Sequence, residues 1–271
     1  MLIRRAGVAL RRAWKLLPGL ILVSETKTTW FFTVLNSLFW SGVGFFLGAY
    51  IHPILLTGFT SMSIYPFYLL QFKVQQYKRA AAYVLVWAIT ISITIALLTL
   101  VSPSLAEKAI LSGTTYQEEM FQWIITGIGA EGDPSVFVPA HLINASVFAL
   151  LSLATAGFLA LFFGAYQMNY MNFYVGILLS RVTYPTLNNF ILVSLLSWPV
   201  YAILRIFGFI LIGVATTMPL ASRVFKKKVD KKALVRFFFI GLILVGLDIV
   251  VKVLVAHYYQ KFLHELVSVS Q

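Results

Sequence analysis

Six long apolar stretches, separated by charge-bearing segments, constrain the fold of this chain more than any other feature. Hydrophobic residues make up 60% of its 271 residues, and charged residues make up only 11%. About 20 consecutive apolar residues in a helix cross the roughly 30 Å hydrocarbon core of a bilayer. The sequence therefore predicts an all-α, polytopic integral membrane protein, a bundle of six or seven transmembrane helices.

The net charge is +12, from 21 lysines and arginines against nine acidic residues. In a membrane protein such cations concentrate in cytoplasmic loops and attract anionic lipid headgroups. We therefore predict a bilayer with anionic headgroups as their partner, and no nucleic acid. Cysteine is absent, which excludes disulfides, thiolate metal sites and a cysteine nucleophile. We expect no metal site and no cofactor.

Residues 1–27 have the pattern of a basic amphipathic helix. At 100° per residue one face is apolar and the opposite face carries five cations, Arg4, Arg5, Arg11, Arg12 and Lys15. Such a helix lies in the headgroup layer and does not cross the bilayer. The sequence predicts an interfacial helix on the cytoplasmic side, without a cleavage site that would remove it.

Residues 28–259 form the predicted bundle. Its spans are expected at 29–50, 54–72, 80–101, 140–164, 188–221 and 233–259. The segment at 188–221 is too long for one straight crossing and is interrupted at Trp198-Pro199 and Arg205. A short segment at 173–181, flanked by Asn169, Asn172 and Arg181, is either a broken, re-entrant piece or one more crossing. The basic loops all fall on the cytoplasmic side, and the acidic loop outside, only if this segment crosses the membrane. Seven spans are therefore favoured over six.

The loops predict the orientation. The loop at 103–138 carries five acidic residues against the single Lys108, whereas the loop at 223–233 carries a lysine cluster. By the positive-inside rule, the acidic loop is outside and the basic loop is cytoplasmic. We expect the cytoplasmic (inner) membrane, with the N-terminus inside and the tail at 260–271 outside.

A short interfacial helix is expected within the outer loop. Thr115-Tyr116-Gln117-Glu118 has the capping-box pattern, and apolar residues follow at helical spacing. Gly132-Asp133-Pro134 is expected to end this helix, which would lie on the outer membrane face.

Three charged residues inside predicted spans are the main candidates for a site. Ionisable groups inside a membrane are costly and mark function or internal pairing. Asp248 and Lys252 are four residues apart, hence on one helix face as an expected ion pair, and Arg205 could reach Asp248 from the preceding segment. They either bind a substrate or couple an ion in a polar cavity, or they lock helix packing.

A second candidate cluster comprises Glu118, Glu119 and His141 on the outer side. Glu118-Glu119 and Phe137–His141 resemble motifs of a family of intramembrane proteases in which glutamates and histidines activate water. Gln122 and Trp123 stand where that family has an arginine, and its further histidine–asparagine motif is absent. The alternative is an interfacial helix with a water-facing acidic pair.

These observations favour a small permease-like or channel-like protein that moves a solute, with Arg205, Asp248 and Lys252 in its polar interior. The alternative is a non-catalytic structural or assembly subunit that binds other membrane protein subunits. An intramembrane enzyme comes third, so enzymatic activity stays uncertain and is not favoured. A water-accessible cavity that reaches the Arg205–Asp248 pair would favour the permease.

Overall fold

The structure is a computed structural model that describes residues 30–129 and 131–267. The amphipathic helix predicted at 1–27 lies outside the described residues. The described residues form helices and no strand, which confirms the all-α prediction. The helices are α1 (Trp30–Tyr50), α2 (Ile54–Lys73), α3 (Tyr77–Val101), α4 (Pro103–Ala109), α5 (Gly113–Thr126), α6 (Pro134–Thr155), α7 (Phe158–Ser180), α8 (Leu187–Ser197), α9 (Val200–Val224) and α10 (Lys231–Leu266).

Five of these helices are long and apolar enough to cross a membrane, namely α1, α3, α6, α9 and α10. This is the composition of a membrane-embedded helical protein. Helices α2 and α7 are also long, at 20 and 23 residues, but they are less apolar. More than half of each helix is buried, with 12 of the 20 residues of α2 and 13 of the 23 residues of α7 inside the protein.

Two buried asparagines of α7 form hydrogen bonds to neighbouring helices. Asn172 donates from Nδ2 to Ser92 Oγ at 3.1 Å and accepts from Trp198 Nε1 at 3.0 Å. Asn169 donates from Nδ2 to Thr57 Oγ1 on α2 at 3.4 Å. Buried polar groups need such partners, so these two asparagines can lie in the interior of the bundle.

Helix α10 distributes its residues in the opposite way to a helix of a water-soluble protein. Its buried residues include the charged Asp248 and Lys252. Its exposed residues include large apolar side chains along its length, among them Phe239, Ile243, Leu247, Val250, Leu254 and Phe262. An outward face with large apolar side chains, and an inward face that includes two charged residues, suit a helix at the rim of a bundle in hydrocarbon.

The predicted span at 140–164 is wrong, because the chain breaks in its middle. Helix α6 ends at Thr155, and α7 begins at Phe158. Ala156 and Gly157 between them have φ of +52° and +89°, a left-handed conformation that ends a helix. Gly157 fits because a Cβ there would lie 2.6 Å from the ring of Tyr68. Residues 173–180 of the predicted short segment are therefore the last eight residues of the continuous helix α7, and Arg181 follows its end.

The long segment at 188–221 is two helices, as its predicted interruption at Trp198-Pro199 indicates. Helix α8 ends at Ser197 and α9 begins at Val200. The predicted last span ends at residue 259, but α10 runs over 36 residues to Leu266. The boundary drawn between the bundle and the tail at 260–271 thus falls inside a helix.

The loop at 103–138 contains the expected helix, but with different ends. Helix α5 follows Ser112, so Thr115 lies inside it and does not cap it. It ends at Gly127, whose φ is +72°, so the break comes before Gly132-Asp133-Pro134. Asp133 instead caps α6, accepting a hydrogen bond from Ser135 N at 2.8 Å.

The bundle has two chemically different ends. At the basic end the α2–α3 and α9–α10 turns meet, and Gln75 Nε2 donates to the carbonyl of Lys228 at 3.1 Å. At the loop end, α5 and Glu131 contact the second half of α10, where Gln260 Nε2 donates to the carbonyl of Ile124 at 2.6 Å.

Candidate functional site

The three charged residues singled out from the sequence lie in one buried cluster near the loop end. Arg205, in the first turns of α9, donates from Nε to Asp248 Oδ2 at 3.1 Å. This confirms that Arg205 reaches Asp248 across the helix interface. His141 on α6 places Nδ1 3.2 Å from the same carboxylate oxygen. The Asp248 side chain is fully buried, so its charge depends on these neighbours.

Lys252 pairs differently from the prediction. It lies one turn beyond Asp248, and its Nζ is 3.0 Å from Glu131 Oε2 in the segment between α5 and α6. The ion pair expected between Asp248 and Lys252 is wrong, since each residue has a charged partner on another element. The Lys252 ammonium also lies 4.3 Å from the ring centroid of Phe137, a cation–π contact.

Glu131 connects the cluster to the loop end. Its Oε2 also accepts a hydrogen bond from the Tyr201 hydroxyl at 3.3 Å. Burial alone would raise the pKa of Glu131, but the positive charges of Lys252 and Arg205 outweigh it and lower that pKa. The carboxylate is therefore held in its charged form.

The cluster balances two cations, Arg205 and Lys252, against two carboxylates, Asp248 and Glu131. Balance matters because an unpaired charge in a low-dielectric interior is strongly destabilising. The hydrogen bonding is incomplete all the same. Oδ1 of Asp248 is buried with no hydrogen-bond partner in the described part of the chain, and the His141 and Lys252 contacts have ion-pair distances without hydrogen-bond geometry.

A cavity of about 250 Å³ lies against this cluster. Its lining includes the charged or polar residues Glu119, Glu131, His141, Asn144, Gln167, Arg205 and Lys252, and mostly apolar and aromatic residues form the remaining walls. Asp248 stands behind Arg205 and does not line it. A concave, mostly apolar site with a few convergent polar groups is the usual form of a small-molecule site.

The predicted outer cluster is divided by the fold. Glu119 lines the cavity and is itself exposed, so it lies at the cavity's rim. His141 is buried against Asp248, and Glu118 is exposed on α5 outside the cavity. Among the described residues, no group of three histidines, aspartates and glutamates is placed to hold a metal ion.

Glu131 and Tyr201 belong to the site but were not identified from the sequence. Glu131 lies in a loop with several other acidic residues, and nothing local distinguishes it from them. The available signal was charge balance, since Lys252 inside a span needs a carboxylate once Arg205 takes Asp248.

A close helix crossing positions Arg205 against Asp248. Gly208 on α9 lies opposite Gly241 and Val245 on α10, and a Cβ on Gly208 would be 2.9 Å from the Gly241 carbonyl oxygen. A Cβ on Gly241 would likewise be 2.9 Å from the Gly208 carbonyl oxygen. Glycine at both positions lets the backbones approach closely within one turn of Arg205.

Comparison of the chain with protein-family models, with curated proteins and with solved structures gave no match. The site is therefore interpreted from its own geometry.

Proposed function

We propose that the protein is a small permease-like protein of the cytoplasmic membrane that binds a solute in the cavity beside Arg205. The seven long helices α1, α2, α3, α6, α7, α9 and α10 would be its spans. The observation that carries the proposal is that Arg205, Lys252 and Glu131 all line a cavity while lying among apolar helices.

The charge pattern supports this function over simple packing. Four paired charges that only locked helices together would need no adjoining space, and apolar residues of similar volume would often stabilise the bundle equally well. Arg205 retains 17% side-chain exposure although Asp248 has none. The pair thus has one buried member and one member that faces the cavity, as expected of a ligand-binding cation held by a carboxylate.

The distribution of cations supports the orientation. The basic end contains the turn with Lys78 and Arg79 and the turn with the lysines at 226–228, 231 and 232. Cytoplasmic loops carry such clusters, so the basic end would face the cytoplasm and the cavity would lie nearer the outer face.

The proposal is tested by neutralising Asp248 in reconstituted protein. Transient currents in proteoliposomes exposed to a panel of organic anions, amino acids and organic cations would identify a transported solute. Asp248→Asn removes the countercharge that holds Arg205, so we expect it to abolish that flux.

A double variant, Asp248→Asn with Arg205→Gln, separates function from folding, because it restores charge balance. We expect it to unfold at nearly the wild-type temperature and still to lack transport. Normal flux in Asp248→Asn contradicts the charge-coupled mechanism. Wild-type protein without any flux, purified together with fixed membrane partners, would favour the assembly-subunit function instead.

A further inference from the structure

A second cavity, of about 310 Å³, adjoins the charged one. The two share part of their walls, including Tyr116, Glu131 and Arg205. Apart from these shared groups its lining is mostly apolar, from α3, α7 and the α8–α9 break. The two cavities therefore lie side by side at these residues, one as the charged half and the other as the apolar half of a composite site.

The apolar half extends to the outer surface of the bundle between α3 and α9. Its lining includes Ile89 and Ile93 of α3 and Ile203 and Phe207 of α9. These side chains are between 38% and 53% exposed, and both helices are apolar enough to span a membrane. The surface they expose is the surface that would face hydrocarbon, so the cavity opens sideways toward the bilayer interior.

Arg205 stands where the two halves meet. Its Nε is occupied by Asp248. In the part of the chain that the structure describes, no hydrogen bond engages its terminal guanidinium nitrogens. These nitrogens present parallel N–H donors that match the oxygens of a carboxylate or a phosphate. Asp248 orients the guanidinium and leaves its outer edge for a ligand.

We infer that the ligand is an amphiphile with an oxyanion head and a hydrocarbon chain, which reaches the site from the bilayer through the gap between α3 and α9. This inference rests on the proposed function, since it names the class of solute that the cavity takes. The oxyanion would bind Arg205, and the chain would lie along Ile89, Ile93 and Ile203. A small hydrophilic solute would gain nothing from the apolar half, because transfer out of water favours apolar surface only.

The natural absence of cysteine makes a single-thiol assay direct. Asn144→Cys places a thiol in the wall of the charged cavity. The rate at which this thiol reacts with a water-soluble, charged methanethiosulfonate is measured in liposomes. Oleate and dodecyl phosphate are the long-chain probes, and acetate and inorganic phosphate are the controls that have the same head groups without the chain. Bound long-chain probe should slow the reaction about tenfold at a tenfold excess over its Kd, by mass action.

We expect both long-chain probes to protect the thiol, and acetate and phosphate at equal concentration to leave it reactive. A thiol at the exposed Gln122 on α5 should react at the same rate with and without oleate, which controls for repulsion of the reagent at the membrane surface.

The lateral route is tested separately. Ile89→Trp with Ile203→Trp fills the gap between α3 and α9, and we expect it to remove protection by oleate while the thiol stays reactive. Leu242→Trp, on the exposed apolar face of α10, is the matched control and should preserve protection. Size-exclusion profiles of each variant report that the bundle is intact.

Each outcome is distinct. An unreactive Asn144→Cys thiol in the absence of probe contradicts the water-filled cavity, and with it the proposed function. A reactive thiol that oleate does not protect, or that acetate protects equally, overturns the amphiphile and leaves the proposed function standing. Protection that survives the two tryptophans overturns the route between α3 and α9.

Discussion

Single side chains from distant parts of the chain neutralise one another in the cluster. Lys252 comes from α10 and is fully buried, whereas its partner Glu131 comes from the segment between α5 and α6. Removing one member of a buried ion pair leaves an uncompensated charge in a medium that solvates it poorly. The pair therefore fastens the loop end onto the bundle.

Lys252→Met tests this role, because methionine keeps the length of the apolar stem and removes the charge. We expect it to lower the free energy of unfolding by about 3 kcal/mol, the lower range for breaking a buried pair. Denaturant unfolding in mild detergent, followed by tryptophan fluorescence, measures the change.

The double variant Lys252→Met with Glu131→Gln is the matched control. With both charges gone, we expect it to be more stable than Lys252→Met alone, so the two substitutions are not additive. Additive losses would mean that the two residues contribute separately and that their 3.0 Å contact does not couple them.

Arg205, Asp248 and Lys252 could be found from the sequence because a charge is conspicuous inside an apolar stretch. The contact between Arg205 and Asp248 could also be predicted, but the partner of Lys252 could not, since helical spacing places Lys252 beside Asp248 while the fold pairs it with a carboxylate from another element. Glu131 was missed for the converse reason: a carboxylate in a polar loop carries no local sign of burial.

Helices α9 and α10 cross closely at two glycines, Gly208 and Gly241, and this crossing fixes how the two helices pack against each other. Gly241→Ala would put a Cβ 2.7 Å from the Ile212 side chain and 3.0 Å from its backbone nitrogen, so the helices must separate. We expect a loss of about 1–3 kcal/mol in stability, the usual cost of overpacking. Because Gly208 lies one turn from Arg205, the variant should also weaken oleate protection of the Asn144→Cys thiol.

Gly246→Ala, on the same helix, is the control, since a Cβ there meets nothing within 4 Å. We expect no loss of stability, and a gain of a few tenths of a kcal/mol to about 1 kcal/mol from the better helix propensity of alanine. Equal effects of the two substitutions would show that the close crossing is not a determinant of stability.

Helix ends could be predicted from the sequence where a proline or a charged residue marks them. They could not be predicted where the chain breaks at small residues. The break at Trp198-Pro199 was expected, because proline lacks the N–H that continues a helix. The break at Ala156-Gly157 was not, because hydropathy is unchanged across it and alanine favours helices. Asn169 and Asn172 suggested the flanks of a short segment, yet they lie inside α7 with partners on neighbouring helices.

For the bundle taken together, hydropathy predicted a helical chain with several long apolar helices, but not how those helices are layered. Helices α2 and α7 are central and relatively polar, whereas α6 and α10 expose most of their apolar residues. A one-dimensional profile cannot distinguish these layers, because a polar residue that faces a neighbouring helix reads the same as one at the membrane surface.

The orientation of the bundle gives the last prediction. The basic end and the loop end are far apart, since α10 alone has 36 residues and rises about 1.5 Å per residue. Lys228→Cys at the basic end and Gln122→Cys at the loop end therefore report opposite faces of the membrane. In spheroplasts treated with a membrane-impermeant maleimide, we expect Gln122→Cys to react at once and Lys228→Cys to react only after permeabilisation.

The reverse pattern would place the charged cavity nearer the cytoplasm, and solutes would then bind it from inside. Reaction at both positions before permeabilisation would mean that the chain does not separate its two ends across a bilayer, and the cavity would then have to be explained as a site in a differently embedded protein.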